Sequence, residues 1–134
     1  MAAHQQSTQD WWRDRRQDFT LYASQLVVQE ASRGDQSAAQ LRLAEINKLE
    51  LLDTTDEVLF LAKTLIDNTL IPQGASEDAV HIAVATVNGI DYLLTWNLKH
   101  IANATLRGRV EAQCRAEGYE PPIICTPEEL MEEM

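Results

Sequence analysis

Glu30, Asp78 and Asn97 carry oxygen donors, and each stands beside an apolar segment that a folded core would claim. Glu30 closes the run Leu26-Val27-Val28-Gln29-Glu30. Asp78 opens Asp78-Ala79-Val80-His81-Ile82-Ala83-Val84-Ala85. Asn97 follows Tyr92-Leu93-Leu94-Thr95-Trp96, and His100 lies just beyond it. An acidic cluster assembled from separate elements is how a protein holds Mg²⁺ or Mn²⁺ for phosphodiester hydrolysis. Thr95 offers a hydroxyl to a scissile phosphate, and His100 an imidazole to a substrate.

Each of these residues also has a simpler use. A mid-helix glutamate is commonly solvated surface, although three apolar neighbours give an acid at position 30 a need for a reason. Asp78 and Glu77 in a first helical turn favour the helix macrodipole. Adjacent helix residues point in different directions, so Glu77 is the poorer partner for any site that includes Asp78. Asn97 reads equally as a helix cap after a strand, and His100 as a packing or capping residue. His4 reads as an ordinary histidine, and His81, one turn after Asp78, either touches the cleft or, on the simpler reading, is a packed or solvated helix histidine. Trp11 and Trp12 read as hydrophobic anchors of the first helix, with stacking on bases as the alternative. There is no GxSxG, phosphate-binding loop or zinc-ligand spacing.

The elements that must position these residues follow from periodicity and punctuation. His4 to Asp18 reads as a helix and Phe19 to Ala23 as a short strand. Ser24 reads as the N-cap of a helix that ends at Gly34. Asp35 caps a helix from Gln36 to Lys48, with Ala38, Leu41, Ile46 and Leu49 near one face. Leu49 to Leu52 is a second strand. Thr54 and Glu57 have capping-box spacing before a helix that carries Val58, Leu59, Leu61, Ala62, Leu65 and Ile66. Leu70 to Gly74 is a loop. Ser76 caps a small-residue helix, Glu77 to Asn88, whose Ala79, Ala83 and Ala85 suit close packing on a sheet. Tyr92 to Thr95 is a third strand, Thr105 to Glu117 a polar helix, and Pro122 to Cys125 a fourth strand. Thr126 with Glu129, and Pro127 between them, start a last short helix. Strands alternating with helices imply a parallel sheet covered on both faces, with ligands at the carboxyl ends of the strands.

The 134 residues are expected to form one domain, spanning 1–134. The formal charge of −10 argues against broad electrostatic adhesion to nucleic acid, which needs Lys and Arg to neutralise phosphates. It leaves room for a metal-dependent nuclease, where local charge decides. Cys114 and Cys125 have neither metal spacing nor a disulfide framework, and Cys125 in its apolar run reads as a buried thiol. Residues 1–6 do not form a signal peptide and no apolar run is long enough to cross a membrane, so a cytoplasmic location is expected.

The order of the three motifs resembles the PIN-domain nucleases, in the VapC-like toxin group: a helix ending in Glu30, a helix opening at Asp78, then Thr95-x-Asn97 after a strand. The resemblance runs over nearly the whole chain. Its individual motifs are short, and their order and spacing carry it. It implies a three-layer α/β domain with a central parallel sheet flanked by helices. It implies that Glu30, Asp78 and Asn97 hold Mg²⁺ or Mn²⁺, that Thr95 and His100 meet RNA, and that a cognate antitoxin covers the cleft. Homodimers are common in the group, and no membrane is involved. Many members carry Asp where this chain has Asn97, which removes one negative charge.

The family sheet has five strands, the first in the middle and bearing a further acid; only four strands are legible here. The absent strand would lie between Phe19–Ala23 and Tyr92–Thr95. An upstream start with Met1 internal, a shortened product, or a strand from another chain each account for it. The upstream start is the expectation, and the chain as written is expected to be weakly active or inactive. The contrasting expectation is a non-catalytic interaction module.

Overall fold

The computed structural model describes residues 2–68, 71, 73–95 and 104–131. Helix α1 (Ala2–Asp14) leads through a 3-10 turn (Arg16–Asp18) to strand β1 (Tyr22–Ser24). Helices α2 (Gln25–Ala31) and α3 (Gln36–Ile46) follow, then β2 (Glu50–Leu52) and α4 (Asp56–Asp67). A second 3-10 turn (Gln73–Ala75) opens into α5 (Ser76–Val87). Strand β3 (Tyr92–Leu94), α6 (Ala104–Ala116), β4 (Ile123–Cys125) and α7 (Pro127–Met131) complete the described order.

Local chemistry sets most of these boundaries. Ser24 Oγ accepts from Val27 N at 3.2 Å and starts α2. Asp35 does the same for α3 through Ala38 N at 3.0 Å. Gly34 supplies the left-handed conformation between those helices, with φ of 85°, where an L side chain is strained. Thr126 and Glu129 form a reciprocal capping box, with each backbone N–H donating to the other's side chain at 2.9 and 3.3 Å. Two expected caps move. Thr55, rather than Thr54, caps α4 by accepting from Val58 N. Ser76 is already helical, because the preceding 3-10 turn delivers the chain to α5 without a side-chain cap.

The core forms between α4, α5 and α6. Val58, Leu61, Ala62 and Leu65 recur at helical spacing on one face of α4 and are buried. They meet Ala79, Ile82 and Ala83 of α5, and Val110 and Cys114 of α6 join from another side. The small residues of α5 therefore serve its close approach to α4 as well as to β3. Leu59 is 49% exposed on the outer face of α4. Leu41 is likewise exposed, because α3 turns Ala39, Leu43 and Ile46 inward. Trp11 is buried and touches Phe19, with 5.5 Å between ring centroids, so it anchors α1. Among the described residues, no helix is long and apolar enough to cross a membrane.

The protein is mixed α/β with parallel strand pairing, but the expected central sheet of about four strands is not formed among the described residues. Two parallel pairs stand in its place. β1 pairs with β2 in the register Tyr22↔Glu50 to Ser24↔Leu52. β3 pairs with β4 in the register Tyr92↔Ile123 to Leu94↔Cys125. β1 and β3, the strands between which the family resemblance implies another, do not pair with each other. Each three-residue strand finds one hydrogen-bonding neighbour. Contact between the two sheets comes from side chains, where Phe19 packs against Tyr92.

Candidate functional site

Helix α2, the first turns of α5 and the carboxyl end of β3 meet around a cleft of about 150 Å³. Val27 and Glu30 reach it from α2. Their three-residue spacing puts both on one helix face, and the Ser24 cap fixes where that helix begins. Asp78, His81 and Ile82 reach it from α5 by the same i, i+3, i+4 logic. Leu93, Leu94 and Thr95 supply the wall from β3. The backbone of Thr95 is held by donation of its N–H to Cys125 O at 2.9 Å, which extends the β3–β4 pairing by one bond.

Three of the five residues expected at a site thus converge: Glu30, Asp78 and Thr95 line one cleft, although 65 positions separate the first from the last. Asn97 and His100 lie outside the described residues. A larger cleft, about 240 Å³, runs beside Arg107, Glu111 and Ile123, and contains none of the expected residues.

His81, for which a packed or solvated role was the simpler reading, lines the cleft. Its Nε2 lies 3.0 and 3.1 Å from the two carboxylate oxygens of Glu30. An ionised carboxylate only accepts, so Nε2 carries the hydrogen and donates. The two side chains are 20% and 34% exposed, which keeps the pair at the mouth of the cleft rather than in the core. The signal was present in the spacing, because a residue three positions after Asp78 shares its helix face.

Asp78 and Glu77 part company. Asp78 is buried, 8% exposed, and faces the cleft. Glu77 points outward and accepts from Arg33 Nη2 at 3.0 Å. That hydrogen bond holds the Glu77 carboxyl below the ordinary carboxylate range. It also raises the Arg33 guanidinium, to which Glu30 adds a smaller attraction. Arg33 therefore ties the end of α2 to the start of α5 on the solvent side of the cleft.

The donor chemistry suits a hard divalent cation. Glu30 and Asp78 offer carboxylate oxygens, and Mg²⁺ is commonly held by one or two carboxylates with water completing its shell. Among the described residues no group of three or more His, Cys, Asp or Glu side chains is placed to hold a metal ion, so the set at hand has two carboxylates. The chain matches no protein-family model, no curated protein and no solved structure.

Proposed function

We propose that this protein is a metal-dependent ribonuclease of the VapC-like toxin type, acting in the cytoplasm and restrained by an antitoxin that covers the cleft. One observation carries the reading: Glu30, Asp78 and Thr95, brought from three separate elements, line a single cleft. Glu30 and Asp78 would hold Mg²⁺ or Mn²⁺, with Asn97 as a further oxygen donor. When bound, the ion supplies Lewis-acid polarisation of the phosphate and an activated water. Glu30 from α2 and Asp78 from α5 would be the residues that hold the cation. Thr95 offers its hydroxyl to the phosphate from the end of β3, and His100 contacts RNA. The apolar walls from Val27, Ile82 and Leu93 limit water in the cleft and strengthen the electrostatics within it. A homodimer is part of the same reading.

The test is cleavage of single-stranded RNA in Mn²⁺, with Glu30→Ala and Asp78→Ala as controls. Loss of at least a hundredfold in both variants, at unchanged thermal stability, supports the assignment. Full activity in either variant would sink it.

The second reading is a non-catalytic interaction module with the same fold. The two-carboxylate donor set favours it, being one acid poorer than a three-acid site. Calorimetric titration separates the two readings, because the module binds no Mn²⁺.

A further inference from the structure

The pair formed by Glu30 and His81 joins α2 to α5 at the cleft, and His81 has no part in the chemistry assigned above. Glu30 ends a flexible side chain that is a third exposed. Left alone, such a carboxylate samples many rotamers, and holding it costs side-chain entropy. His81 projects from α5 one turn after Asp78, on the helix that delivers the other carboxylate. Its Nε2 is almost equidistant from Oε1 and Oε2, at 3.0 and 3.1 Å. Either carboxylate oxygen alone can therefore keep the His81 contact, and Asp78 lines the same cleft.

We propose that His81 is the positioning residue for Glu30, donating from Nε2 to one carboxylate oxygen while the other oxygen faces a divalent cation shared with Asp78. The inference rests on the metal-binding reading of the cleft. His81 is not itself a ligand in this arrangement. It is an outer partner that orients a ligand, a role whose loss typically weakens metal binding 10- to 100-fold. The spacing of α5 places the ligand Asp78 and the orienting His81 on one rigid helix. The geometry of Glu30 is thus set by the same element that carries its partner carboxylate.

The experiment is Mn²⁺ titration by calorimetry on the full chain, comparing wild type with His81→Ala, His81→Leu and His81→Gln. Thermal denaturation without metal serves as the control for folding. His81→Ala and His81→Leu are expected to bind Mn²⁺ at least tenfold more weakly than wild type. His81→Gln, which keeps an N–H donor, is expected to recover part of that loss. Should His81→Ala fail to fold, His81→Leu makes the same comparison with the volume retained. Wild-type affinity in the folded Ala or Leu variant overturns the inference and leaves the metal site standing. Tighter binding overturns it by making His81 a competitor for the carboxylate. Absence of Mn²⁺ binding in wild type overturns both this inference and the nuclease reading.

Discussion

Phe19 meets Tyr92 edge to face, with 6.0 Å between ring centroids and 87° between ring planes. One residue precedes β1 by a short step and the other opens β3, so the contact ties the two sheets at their amino ends. Edge-to-face pairs contribute about 0.5–1.5 kcal/mol beyond the area they bury. A double-mutant cycle with Phe19→Ala and Tyr92→Ala, read by urea denaturation, is expected to return a coupling of about 1 kcal/mol. A coupling near zero would mean that the ring pair adds nothing beyond the area it buries.

Ala83 is fully buried on α5, inside the core shared with α4. Enlarging it forces the two helices apart. Ala83→Leu is expected to destabilise the fold by about 1–3 kcal/mol. The reverse change in volume at the facing helix, Leu65→Ala, is expected to cost about 2–5 kcal/mol. Chemical denaturation with an unchanged m-value checks both.

Glu77 and Arg33 give the site flank a pH signature. The Glu77 carboxyl is held below its ordinary value of 4.5 by the Arg33 hydrogen bond. A depressed acid stabilises the fold above its unfolded pKa and loses that contribution as pH falls through the folded one. Wild type is therefore expected to exceed Arg33→Ala in stability at neutral pH. The two should converge as pH falls below about 4.5, the ordinary Glu77 value. Thermal midpoints measured from pH 7 down to 3 follow the gap. A gap that stays constant would assign the effect of Arg33 to packing.

Both thiols are buried, and burial pushes the Cys125 thiol up to about 11 and raises Cys114 as well. The reactive species is the thiolate. Iodoacetamide at pH 8 is expected to leave both residues unmodified in the folded protein and to label both in denaturant. Rapid labelling of Cys125 in the native state, seen by intact mass, would show that the β3–β4 pair opens readily.

Saturating Mn²⁺ is expected to raise the thermal midpoint of the wild type. At a hundred times the dissociation constant the gain is about 2.7 kcal/mol. Asp78→Ala should lose the shift while folding normally without metal. An equal shift in both proteins would place the ion elsewhere on this acidic chain.

Much of the architecture was legible because its signals are local. Ser24, Asp35 and the Thr126–Glu129 box cap helices where their spacing says they should. Gly34, Gly89 and Gly118 all take positive φ just after helices. The central sheet was not legible, because strand neighbours depend on contacts that no local pattern encodes. Four apolar runs with turn signals specify strands, yet not which strand each one finds. Leu41 was misplaced for a related reason: a helix carrying apolar residues on more than one face does not declare which face is buried. At the cleft, Glu30 and Asp78 were found by motif order. His81 was ranked as packed or solvated because histidine on a helix has many uses, and its pairing here depends on a partner 51 positions away.

The two strand pairings have a consequence for how the chain organises itself. Tyr22 meets Glu50 and Tyr92 meets Ile123, about thirty residues apart in each case. Each pairing is thus completed inside its own stretch, through α2 and α3 in one and α6 in the other. Loop-closure entropy rises only slowly with length, so both closures are comparably accessible from the unfolded chain. Neither needs the other as a template. The protein is built as two crossover units that share one core with α4 and α5, and a nick between β2 and β3 would leave each strand pair on a single fragment.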